Sequence, residues 1–186
     1  MKRFAKMLGV TCAAAFALVA MTAVSASAAT FTASATGTLT GTQTSNQVFT
    51  TGGGGTVTCK KAHTHGTIVS TSAASQHVTV TYSECTAFGF NATVSPATYE
   101  LYASGTVDVE NTITISVLGC TTTVKPQKGL HAVSYHNKAG KLEQTSAVKN
   151  ITSTASGFPC SGGTTGTYTG SNLVERVGGG TLTHHP

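Results

Sequence analysis

The run His77-Val-Thr-Val-Thr-Tyr-Ser83 changes character at every step: Val78, Val80 and Tyr82 fall on one side of an extended chain, Thr79 and Thr81 on the other. A period of two suits a half-buried strand and defeats an amphipathic helix. Working outward, Thr36, Thr38, Thr40, Thr42 and Thr44 share a face opposite Gly37, Leu39, Gly41 and Gln43. In Thr112 to Leu118, Ile113, Ile115 and Val117 do the same. Further short strands are expected at Gln47–Thr50, Thr56–Lys60, Gly66–Ser70, Phe88–Val94, Thr98–Ala103, Thr106–Val109, Cys120–Val124, Leu130–Tyr135, Leu142–Ile151, Thr165–Thr169 and Leu173–Val177. Strands this short and this frequent predict an all-β fold, an antiparallel β-sandwich or a Greek-key barrel-like domain, with almost no helix.

Ordinary turn residues separate these runs: Gly52 to Gly55, Ser95-Pro96, Lys125-Pro126, Asn137 to Gly140, Gly157 to Gly163 and Gly178 to Gly180. None resembles an interdomain linker, so one domain is expected. Thr36-Gly-Thr-Leu-Thr-Gly-Thr42 is echoed by Thr165-Gly-Thr-Tyr-Thr-Gly-Ser171. The echo fits either related positions for the first and last strands or chance in a Thr- and Gly-rich chain.

The chain has 186 residues and starts with Lys2, Arg3 and Lys6, an apolar run from Met7 to Val24, and Ser25-Ala-Ser-Ala-Ala29. That order reads as a secretory signal peptide over residues 1–29, leaving an exported all-β domain over 30–186. Without the leader the formal charge of +5 falls to +2, eight basic against six acidic side chains. No basic run beyond Lys60-Lys61 survives, which argues against nucleic acid and against an anionic membrane as partners. An extracellular ligand or cell-surface component is the expected partner.

Four cysteines remain beyond the leader: Cys59, Cys85, Cys120 and Cys160. An even number in an exported chain points to two disulfides. Three pairings are open; loop size favours Cys59 with Cys85 and Cys120 with Cys160. Each would stabilise by about 3.5 to 4 kcal/mol if loop entropy governs.

Candidate chemistry is sparse. His63 and His65, two apart on a strand, point the same way and can share one metal ion, with His77 on the next strand as a third ligand. Exposed histidines on a polar strand are the simpler reading. No catalytic residues are assigned and no cofactor is implied: the mature chain offers one Asp (Asp108), five Glu and no Gly-x-Ser-x-Gly elbow. Phe88 and Phe90 share a strand face and are expected in the core. His184-His185 is expected to lie in a frayed tail.

Thr56-Val-Thr-Cys59, Tyr82-Ser-Glu-Cys-Thr-Ala-Phe-Gly-Phe90, Gly119-Cys-Thr-Thr-Thr-Val124, Pro126-Gln-Lys-Gly-Leu130 and Gly166-Thr-Tyr-Thr-Gly170 carry a resemblance to small uncharacterised secreted all-β proteins of actinobacteria. The resemblance implies an all-β fold and no activity. The expected role is a secreted, non-enzymatic binding or structural domain; a secreted hydrolase and a metal-binding protein using His63 and His65 are the alternatives.

Overall fold

A computed structural model describes residues 28–186 apart from 54, 159, 161 and 162. Nearly all of the expected leader therefore lies outside the described residues. In chain order the strands are β1 (Thr30–Ala33), β2 (Gly37–Thr51), β3 (Thr56–Ile68), β4 (Ser72–Ala73), β5 (Ser75–Ala87) and β6 (Phe90–Val94). They continue as β7 (Ala97–Tyr102), β8 (Thr106–Val109), β9 (Ile113–Val117), β10 (Cys120–Val124) and β11 (Gln127–His131). The last are β12 (Val133–Lys138), β13 (Lys141–Thr152), β14 (Thr154–Ser156), β15 (Thr165–Arg176) and β16 (Leu182–His185). No helix among the described residues is long and apolar enough to cross a membrane.

The main sheet closes on itself. β2, β3, β5, β7 and β8 pair in turn, all antiparallel, and on the other side β2 pairs β15, β15 pairs β13 and β13 pairs β12. β11 pairs β8, while β12, continuing the same chain past the left-handed Ala132 (φ 82°), pairs β13. Ala132 accepts from the Ala147 N–H, and the Val133 N–H reaches back to the Gly105 carbonyl. Gln127 completes the seam with its side chain, donating to the Thr152 carbonyl and accepting from the Thr152 N–H. The staves therefore follow sequence order round the ring, as in an up-and-down barrel.

A second tier lies beyond the point where β7 leaves β5. There the end of β5 pairs β6, and β9, β10 and β14 continue that wall. At the other end a small sheet, β16-β1-β4, lies over the mouth, and Phe31 and Leu182 are buried beneath it. The interior is filled from every stave: Leu39, Val78, Leu101, Leu142 and Val174 near the cap, Phe49, Val57, Ile115 and Ile151 farther down.

Between the tiers the walls bulge. Lys60 and Lys61 are both exposed in β3, as are Ser83 and Glu84 in β5 and Lys149 and Asn150 in β13, with Glu84 (φ 52°) and Asn150 (φ 60°) in the left-handed region. In β2 the register against β3 shifts between Thr42 and Gln47. An extra residue reverses which side chains face inward and bends the strand. This is why β2 and β3, expected as two short strands each, form single long ones: the alternation breaks while the hydrogen-bonded ladder runs on.

The favoured disulfides form. Cys59 and Cys85 are directly opposed in β3 and β5, with Cα atoms 3.9 Å apart, and Cys120 joins Cys160 at 5.3 Å. They staple the second tier and fit an oxidising setting. The echoed Gly-rich segments fall on neighbouring strands, β2 and β15, but do not pair with one another: Gly166 to Ser171 lies opposite Thr51 to Ser45, and Leu39 to Thr42 opposite Arg176 to Leu173. Two expectations are corrected. Phe88 and Phe90 are half exposed, since they flank a hairpin tip at the rim. His184 and His185 are not frayed: they pair with Phe31 and Thr30 in the cap.

Candidate functional site

The bulged belt carries polar side chains into an otherwise apolar interior. β5 keeps its inward phase up to Tyr82, β7 brings Tyr99 inward beside Val78, and β15 presents Tyr168 between two inward glycines, Gly166 and Gly170. Gly170 is required there. A Cβ at that position would collide with the Gln47 side chain, which lies across β15 from β2.

The three phenols meet. Tyr82 Oη lies 2.9 Å from Tyr99 Oη and 3.4 Å from Tyr168 Oη, and Tyr168 donates a short hydrogen bond to Gln47 Oε1. Gln47 Nε2 faces three acceptors at 3.2 Å, the carbonyls of Ser45 and Ser171 and Asn172 Oδ1, which fixes the amide's orientation. Because Tyr168 gives its proton to Gln47, it accepts from Tyr82, which then accepts from Tyr99. Tyr99 is the open end of this chain: its hydroxyl keeps an unused lone pair. Gln144 and Ser146, hydrogen bonded to one another at 3.2 Å, add a second polar pair on β13.

These groups line a cavity of about 80 Å³ whose other walls are apolar, with Val78, Val80, Leu101, Val107 and Val109 among them. Protein surrounds the three phenols, yet each keeps some accessible surface, and that surface faces the cavity. Burial raises the Tyr99 phenol to about 12 and pushes Tyr82 and Tyr168 up as well. They remain neutral hydroxyls near pH 7, suited to hydrogen bonding rather than to proton abstraction. A water needs roughly 10–15 Å³ by this kind of measure, and drug-sized sites run to roughly 300–1,000 Å³. The space suits several waters or one small molecule.

The histidines singled out in the sequence lie on the outer wall. His63 and His65 project from the same face of β3 and stack with ring centroids 6.5 Å apart. His77, on the adjacent β5, turns away from them. Its Nδ1 lies 3.0 Å from Glu110 Oε2 and its Nε2 3.6 Å from Glu100 Oε1. Strand register explains the meeting: His77 is opposite Glu100, and Glu100 is opposite Asp108, across β5, β7 and β8. Glu110 reaches over β7 from the end of β8. Hydroxyl donors hold Glu100 on both oxygens, Tyr102 at 2.7 Å and Ser75 at 2.8 Å, and keep its carboxyl below the usual range, Tyr102 contributing most. Ser75 thus bonds a carboxylate rather than an imidazole, so no serine–histidine relay is made there.

Sequence reading missed both groupings. The inward parity of Val78, Val80 and Tyr82 marked one phenol; nothing local marked Gln47, Glu100 or Glu110, whose partners come from strands far along the chain. In comparisons with known proteins, no family model, curated protein or solved structure matches this chain.

Proposed function

We propose that the protein is a secreted binding barrel that takes a small, largely apolar guest carrying one hydrogen-bonding group. The observation that carries this reading is the hydroxyl chain ending at Tyr99 inside an apolar cavity of about 80 Å³. Apolar walls with a few convergent polar groups are the usual make-up of small-molecule sites, and an eight-stave barrel has room for about one small ligand. Burial of the walls supplies affinity; Tyr99 supplies orientation.

Phenol and benzene, matched in shape and differing by one hydroxyl, are the probes. Titrated into the disulfide-intact protein and followed by amide chemical shifts, both should bind saturably, phenol several-fold more tightly. Tyr99→Phe should erase phenol's advantage while leaving benzene unchanged. Failure of both probes to saturate at millimolar concentration, or a phenol preference that survives Tyr99→Phe, overturns the proposal.

A further inference from the structure

On the outer wall, away from the cavity, His77, Glu100 and Glu110 bring one imidazole nitrogen and two carboxylate oxygens within 4.8 Å of one another. We propose that these three side chains form a binding site for a first-row divalent cation of the Zn²⁺ type.

The donor set favours this over a plain ion-pair cluster. The chain has six acidic side chains in all, and three of them, Glu100, Asp108 and Glu110, crowd this one patch. Set against them are His77 and Lys128, whose Nζ is 3.9 Å from Asp108. Glu100 is also built as a ligand would be. Tyr102 and Ser75 each donate to one of its oxygens, fixing the carboxylate's plane while leaving a lone pair on each oxygen free. Asp108 stands behind, accepting from the Gly129 N–H at 2.7 Å, with its Oδ2 3.4 Å from the Tyr102 hydroxyl whose single proton goes to Glu100.

The geometry needs only a small adjustment. Donors about 2.0–2.2 Å from a tetrahedral ion stand roughly 3.3 Å from one another. His77 and Glu110 have side chains 62% and 33% exposed, free to close the remaining gap by rotation, while Glu100, 19% exposed, stays fixed. Three protein ligands leave a position open to water. An imidazole donor with only two carboxylates also selects the ion: Ca²⁺ seeks six to eight oxygens, whereas nitrogen donors suit Zn²⁺ and its neighbours.

The test is a Zn²⁺ titration of the disulfide-bonded protein by calorimetry, with Ca²⁺ as competitor. One equivalent of Zn²⁺ should bind, undisturbed by Ca²⁺. His77→Ala and Glu110→Gln should each weaken binding at least tenfold, and Tyr102→Phe, which touches no ion, by roughly 10- to 100-fold. The His63→Ala/His65→Ala double variant should bind as the parent does. All are surface changes, and circular dichroism checks that each variant folds. Absence of stoichiometric binding, loss in the His63/His65 variant with retention in His77→Ala, or equal competition by Ca²⁺ each overturns the proposal.

Discussion

Three hairpins here turn on two residues that both have positive φ: Phe88-Gly89, Leu118-Gly119 and Ala139-Gly140. This is the turn that matches the twist of paired strands, and Asn or Asp followed by Gly fills it at least cost. An L-residue with a plain Cβ loses about 1–2 kcal/mol in the left-handed region, and Asn loses less. Ala139 is exposed, so little burial opposes a change there. Ala139→Asn should raise stability by about 0.5–1 kcal/mol, read as a higher urea midpoint at unchanged slope. These tips also show where the sequence misled. Phe88 and Phe90 have strand-core chemistry, but Phe88 is a turn residue and Phe90 begins the returning strand at the rim, so both stay wet. Residue type was legible; the register that decides facing was not.

At the scale of the strand, β15 depends on its glycines. Gly166 accommodates the Phe49 ring and Gly170 the Gln47 amide, so the wall between β2 and β15 is thinned where those side chains cross it. Gly170→Ala should destabilise by about 1–3 kcal/mol through overpacking and should detach Gln47 from Tyr168. Thermal unfolding gives the loss, and a broadened Tyr168 ring signal in the NMR spectrum reports the detachment. The paired Gly-x-Leu-x-Gly and Gly-x-Tyr-x-Gly patterns were visible in the sequence. The meaning of the second was not, because it lies in Gln47 and Phe49, which belong to neither pattern's own side chains. The strands themselves were largely legible from alternation, and failed only at bulges, where one inserted residue reverses the phase without ending the strand.

For the molecule as a whole, the buried phenols set an alkaline limit. Tyr99 rises from 10.0 to about 12, Tyr82, Tyr135 and Tyr168 also rise through burial, and Tyr102 reaches about 12 through its hydrogen bond to Glu100. An unfolded tyrosine ionises near 10. Below that pH both states hold every phenolic proton and these groups leave stability flat; above it the unfolded chain sheds protons that the folded chain keeps, so stability falls as pH rises toward 12. Urea midpoints should hold up to about pH 10 and drop beyond it, while native absorbance at the phenolate band lags behind that of unfolded protein. A midpoint independent of pH across that window contradicts the burial of the phenols. The closed ring has one more consequence, in time. The ring also pairs β2, early in the described chain, with β15, far later in it, so Gly41 waits for Val174. Such distant pairings are slow to find. A chain emerging start-first has β2 without its partner on that side until nearly the last residues arrive, which makes ring closure a late, post-synthetic event and the half-emerged chain the form most in need of a chaperone.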